Sequence, residues 1–160
     1  MIPHDNLVRF LRESLAIEDI NRDPTPAEIE ATKLFISLPA PTIAHIRTLV
    51  GVFEPDAQLR EFPGMDVRVG TYYPPRGGEH IPHDLRDILN DMPLQIDDSA
   101  GPFNIHHRYE QLHPFTDCNG RSGRIIWAWM MNRQGLGSRL PYGFLRHWYY
   151  QSLAHAQKAM

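Results

Sequence analysis

The chain has 160 residues, 42% of them hydrophobic and 22% charged, which is enough apolar material for a packed core and excludes extensive disorder. Sixteen basic residues against 19 acidic ones leave a formal net charge of −3, far from the basic excess of a protein that grips a nucleic-acid backbone. One cysteine rules out an intramolecular disulfide and a CxxC metal knuckle. Charges interrupt the N-terminal residues where a signal peptide needs an apolar run, and no segment reaches the roughly 18 apolar residues of a membrane span. The expectation is one cytoplasmic domain over residues 1–160, with no membrane and no direct nucleic-acid contact.

Leu7, Phe10, Leu11, Leu15 and Ile17 fall close to one face and predict a first helix over residues 6–20. A polar stretch with two prolines breaks it, with Thr25 as N-cap and Pro26 at the first helical position. The second helix passes through Ile29, Leu34, Phe35 and Leu38 and stops at Pro39-Ala40-Pro41. Thr42 is the expected cap of a third, which carries Ile43, Ile46, Leu49, Val50 and Phe53. Residues 66–73 then alternate as a half-exposed strand does, and Pro74-Pro75-Arg76-Gly77-Gly78 is a strong turn signal. This predicts a short β-hairpin flap within residues 62–81. Helical patterning resumes over 82–94, 102–112, from about 120 through the run Ile125 to Met131, and over 142–156. Phe144 and the aromatic residues 148–150 recur at helical spacing and are expected in the core. The fold class is mainly α, a compact helical domain with a hairpin flap.

The chemistry concentrates in His113-Pro114-Phe115-Thr116-Asp117-Cys118-Asn119-Gly120-Arg121-Ser122-Gly123-Arg124. A polar loop entering a helix offers unpaired N–H groups and the positive end of the helix dipole, a ready anion site. Asn119 suits a local cap and Gly120 a close backbone approach. Arg121 and Arg124, three apart, share a helix face and favour a planar oxyanion such as phosphate. Asp117 beside such groups is best rationalised as a Mg²⁺ ligand, and His113 can take a proton from an attacking hydroxyl. Taken together they point to transfer chemistry on a polyphosphate.

The segment resembles the signature of the Fic family, His-x-Phe-x-[Asp/Glu]-Gly-Asn-Gly-Arg-x-x-Arg, at every specified position but one. The resemblance implies transfer of AMP from ATP to a Ser, Thr or Tyr hydroxyl of a target protein, with release of pyrophosphate. It casts His113 as the base, Asp117 as the Mg²⁺ ligand, Asn119 and Gly120 as the anion-pocket lining, and Arg121 and Arg124 as ligands of the phosphate tail. Phe115 becomes a core anchor of the loop. Val67, Arg68, Val69, Gly70, Thr71 and Tyr72 resemble the family's flap, to which a target segment docks by strand addition. Residues 1–20 are similar to an inhibitory helix of pattern [Ser/Thr]-x-x-x-Glu-[Gly/Asn]. There Ser14 and Glu18 match and Asp19 departs, which implies that Glu18 restrains activity by pairing with Arg124. A homo-oligomer is compatible with this reading.

The departure within the signature is Cys118, which stands where the pattern has its first glycine. If that position requires φ > 0, a side chain there costs about 1–2 kcal/mol, and its sulfur would crowd the phosphates. A tolerated variant, a weakened enzyme and an introduced substitution all remain open, as does a redox thiol activated by the two arginines. The alternative function is therefore a nucleotide- or protein-binding module without transfer. A zinc hydrolase built from His106, His107, His113 and Asp117 is the other rival. Adjacent His106 and His107 point to different helix faces and are expected to be packing or surface groups.

Overall fold

The computed structural model describes residues 2–137, so the last expected helix and its aromatic residues lie outside the described residues. Within them, α1 (His4–Ile17), α2 (Pro26–Ser37), α3 (Ile43–Phe53), α4 (His80–Asp91), α5 (Gly101–Leu112) and α6 (Asn119–Arg133) follow in order, with a single 3-10 turn at Pro93–Gln95. The two threonine caps form as expected. Thr25 Oγ1 accepts the Glu28 N–H at 3.1 Å, and Thr42 exchanges bonds with His45 in a capping box. No helix among the described residues is long and apolar enough to cross a membrane.

The hub is α6. Its stretch from Ile125 to Met130 is apolar on all sides and wholly buried, and a helix of that kind needs neighbours all round. α5 supplies the broadest contact, and α2, α1 and α3 also touch it. Gly123 permits the close approach of α5: a Cβ there would lie 2.5 Å from Glu110 Oε1 and 3.0 Å from Tyr109 Cδ1. Two polar contacts fix the rotation of the pair. The His106 ring donates from Nδ1 to the Gly123 carbonyl at 2.8 Å, and Tyr109 Oη meets Ser122 Oγ at 2.7 Å. Phe115 sits in the same core, 1% exposed.

Two expectations are corrected. Residues 62–81 do not form a β-hairpin flap: within residues 66–73 only Val69 and Tyr72 pair, across the tight turn at Gly70 (φ 60°). The flanking Pro63, Pro74 and Pro75 lack N–H donors, and Val69 and Tyr73 remain 42% and 68% exposed, so no face is buried. Side chains take the place of a strand partner. Arg60 donates to the carbonyls of Met65 and Pro75, and Asp66 accepts the Gly77 N–H. The only other bridge among the described residues, Leu59 with Phe115, lies where alternation gave no signal.

The first helix also ends earlier than predicted, at Ile17, so Glu18 is its C-cap. Ile20 N–H bonds to Leu15 O and Asp19 N–H to Ala16 O, each at 3.0 Å. That pair of bonds is a Schellman motif, in which the residue after the cap takes the left-handed conformation. Asp19 does so, with φ 59°. This is the position at which the inhibitory pattern has Gly or Asn, the residues that enter that region most easily, and Asp follows them.

Candidate active site

α5 stops because His113 adopts a left-handed conformation (φ 51°, ψ 61°) and Pro114 cannot continue a helix. The His113 Nδ1 lies 3.3 Å from the Glu110 carbonyl. A carbonyl only accepts, so that contact places the ring proton on Nδ1 and leaves the Nε2 lone pair available. Burial holds the His113 pKa below its usual value of 6.5, with the Arg60 charge acting in the same direction and Glu18 and Asp117 opposing. A neutral ring at neutral pH is what a proton acceptor requires.

The loop that follows is closed by Asn119, whose amide gives to Phe115 O and takes from Phe115 N–H, both at 2.8 Å. Asn119 is 2% exposed, and both side-chain ends are spent on the loop. The Asn119 side chain therefore shapes the loop, which leaves its backbone N–H as the group it can turn to an anion. Residues 58–60 are stitched alongside, through Arg60 N–H to Pro114 O (2.9 Å) and Thr116 N–H to Gln58 O (2.8 Å).

Cys118 sits at the N-cap of α6 with φ 70°, so the conformation that strains a side chain is indeed adopted. Its sulfur does not face the loop's polar side. It is 3% exposed and belongs to the hydrophobic core. Burial pushes the thiol up to about 12, outweighing the opposite pull of Arg121. Both observations count against the redox thiol that the sequence left open, and they direct the sulfur into the core.

The N-terminus of α6 has no side-chain cap, and among the described residues the N–H groups of Asn119, Gly120 and Arg121 have no partner. An anion is favoured there, and the Glu18 carboxylate lies beside Gly120, bonded to Arg124 and not to those N–H groups. A Cβ on Gly120 would collide with Glu18 Oε1 and lie 3.0 Å from Arg124 Nη1. Arg124, 1% exposed, donates from Nη2 to Glu18 Oε1 at 2.8 Å and from Nε to Ser14 Oγ at 2.7 Å. The two signature arginines do not converge on one point. Arg121 turns to Glu54, at 2.9 Å, and lies 3.6 Å from Asp117. Its buried Nε has no hydrogen-bond partner among the described residues. Glu54 and Arg60 are functional-region residues that the sequence reading missed. Glu54 stands 67 positions from its partner, and no local pattern marks either one.

Residues 42–131 match the Fic/DOC family. The chain belongs to the Fic/DOC family. It is 35% identical over 91 residues to the protein adenylyltransferase fic-1 of Caenorhabditis elegans, covering 54% of this chain and 18% of that protein. It is 43% identical over 49 residues to a uridine 5'-monophosphate transferase of Xanthomonas campestris pv. campestris (strain 8004), covering 26% of this chain and 9% of that protein. The chain therefore spans a small part of the length of each of these relatives.

In this Fic chain, Asp117 satisfies a simple test for a Mg²⁺ ligand. Its side chain is 65% exposed. Oδ1 accepts the Cys118 N–H while Oδ2 keeps its lone pairs, which suits an ion that binds one carboxylate together with phosphates. The orphaned Arg121 Nε and the open amides of α6 fit an anion in the same way. The zinc alternative does not assemble. His106 is fully buried and bonded to Gly123, and burial lowers its pKa to about 3. Among the described residues the only group of three potential ligands is His83, Asp84 and Asp87, of which His83 and Asp87 are exposed and Asp84 half-buried.

Of the expected docking residues, Val67 and Tyr72 are half-buried and Arg68, Val69, Gly70 and Thr71 exposed. Tyr72 is held by its hydroxyl on Gln111 O at 2.9 Å. Pro75 and Tyr72 help line an open cleft of about 360 Å³ with Asp84, Asp87, Arg108 and Gln111.

Proposed function

We propose that this Fic chain transfers AMP from ATP to a Ser, Thr or Tyr hydroxyl of a protein, and that Glu18 restrains it. The observation that carries the reading is a left-handed turn into α6 that places His113, Asp117, Arg121 and Arg124 around a helix N-terminus with open N–H groups. His113 Nε2 takes the proton from the target hydroxyl as its oxygen bonds to the α-phosphorus. The bond from that phosphorus to the α–β bridging oxygen breaks, and pyrophosphate leaves. Asp117 would hold Mg²⁺, which neutralises phosphate charge when bound. Orientation and charge stabilisation supply most of the rate.

The target segment is placed along residues 67–72. Only Val69 and Tyr72 pair there, so main-chain groups remain for an incoming extended chain. Glu18 occupies the anion position at Gly120 and Arg124, so the phosphate tail and Glu18 compete. The likeness to a uridine 5'-monophosphate transferase supports a second reading in which the donor is another nucleotide.

The test is transfer from α-labelled ATP or UTP with Mg²⁺, using the full chain, Glu18→Gly and Cys118→Gly, each with and without His113→Ala. Label on the chain or on a lysate protein, raised by Glu18→Gly and abolished by His113→Ala, is expected with ATP. Label from UTP alone moves the reading to the other donor. Label that persists in His113→Ala, or no label from any folded variant, refutes the transfer reading in favour of a binding module.

A further inference from the structure

We propose that Arg60 is a positioning residue that holds the His113 loop and the target-facing segment in one register; the role it serves rests on the transfer reading above. Arg60 is completely buried, and among the described residues no carboxylate pairs with it. Its guanidinium is instead spent on backbone carbonyls from three places. Nε donates to His113 O at 2.7 Å, Nη2 to Leu112 O at 2.9 Å, and Nη1 to Met65 O at 3.0 Å and Pro75 O at 2.8 Å. Its own N–H bonds to Pro114 O at 2.9 Å, and its carbonyl accepts from Gly78 N–H at 3.0 Å. One residue therefore joins the end of α5, the reactive histidine and both arms of the segment over 65–78.

A bulky apolar residue could fill the same volume, but it would strip the Arg60 donors from four carbonyls, of which that of Leu112 is buried and those of His113, Met65 and Pro75 are less enclosed. The guanidinium suits the position because its donors leave a rigid plane in fixed directions, which sets distances between segments as well as joining them. His113 needs such support. Its left-handed backbone (φ 51°) is a costly conformation for a side-chain-bearing residue and persists where the surroundings over-determine it. Arg60 grips the carbonyls on either side of that turn as well as its own. Through Met65 and Pro75 it holds the stretch that carries Val69 and Tyr72 at a fixed offset from the imidazole. Its contacts do not reach residues 117–124, where nucleotide is placed. Arg60 should thus govern the alignment of hydroxyl and base while leaving nucleotide affinity alone.

The experiment compares Arg60→Lys and Arg60→Gln with the parent in a Glu18→Gly background, using the full chain. The readouts are the self-labelling rate at saturating ATP, the affinity for a non-hydrolysable ATP analogue, and backbone amide NMR signals. Lysine keeps the charge but has one ammonium to offer to carbonyls on separate segments. A misplacement of about 1 Å lowers a transfer rate by about 100-fold, and that is the expected loss for Arg60→Lys, with analogue affinity unchanged. The amide signals of His113 and Tyr72 should move while that of Gly120 stays. A folded Arg60→Lys that labels at the parent rate overturns the proposal, as does an analogue affinity that falls in step with the rate. If the parent itself does not label, the transfer reading fails separately. The amides then decide: displaced His113 and Tyr72 signals support the positioning role, and unmoved ones refute it.

Discussion

Replacing Glu18 by glycine tests the competition at the α6 N-terminus directly. The carboxylate makes one charge-assisted bond to Arg124, at 2.8 Å, with the arginine buried and the glutamate about a third exposed (36%). Such bonds contribute about 1.5–3 kcal/mol when well shielded. Partial solvent exposure of Glu18 brings the figure to about 1–2 kcal/mol. A phosphate tail that must displace Glu18 loses that amount, which is about a 5–30-fold reduction in apparent affinity. Glu18→Gly should therefore tighten binding of a non-hydrolysable ATP analogue by about 5–30-fold, read by calorimetry with Mg²⁺. AMP, which lacks the β- and γ-phosphates, should gain little. The unliganded variant should melt lower, by about 2–4 °C per kcal/mol lost, because the Arg124 bond to Glu18 goes while that to Ser14 stays. Equal tightening for AMP and the triphosphate would refute competition at Arg124, and so would unchanged affinity for both.

Other outcomes follow from the same geometry. His106 is neutral in the fold, with a pKa lowered to about 3 from 6.5, so between those values the unfolded chain binds the extra proton. Its contribution to stability is complete above pH 6.5 and fades as pH falls toward 3, and His106→Gln should flatten that part of the urea-unfolding profile. Cys118, buried and pushed up to about 12, should react with iodoacetamide at pH 8 at least about a hundredfold more slowly in the native than in the urea-unfolded protein. Fast native alkylation would contradict its placement in the core. Gly123→Ala should cost about 1–3 kcal/mol in thermal or urea unfolding, since the added Cβ meets Glu110 and Tyr109. The transfer rate should be level near neutral pH and fall on acidification with a midpoint below 6.5, as the His113 base becomes protonated. A midpoint above 6.5 would point to a different base.

Much of the helical scaffold was legible because its signals are local. Thr25 with Pro26, and Thr42 with the apolar run behind it, mark helix starts within a single turn of chain, and the structure caps both. The family was legible for the same reason, since the residues that shape a loop into a helix N-terminus are contiguous from His113 to Arg124. The hairpin was misread because alternation alone does not make a strand. A strand needs a partner for its main chain and a core for one face, and residues 66–73 have neither. The Cys118 strain could be stated only as a condition until φ 70° was known.

Helix starts and the run of candidate reactive residues are written locally, since caps, prolines and the 3.6-residue period act within a few residues of one another. Tertiary structure alone decided what those residues face. It sent the Cys118 sulfur into the core, turned Arg121 to Glu54, seated Glu18 against Arg124 across a separation of 106 positions, and gave Arg60 its four carbonyls. Buried polar groups must find partners wherever the packed chain brings them, and that search runs through space, where no local pattern in the sequence records it.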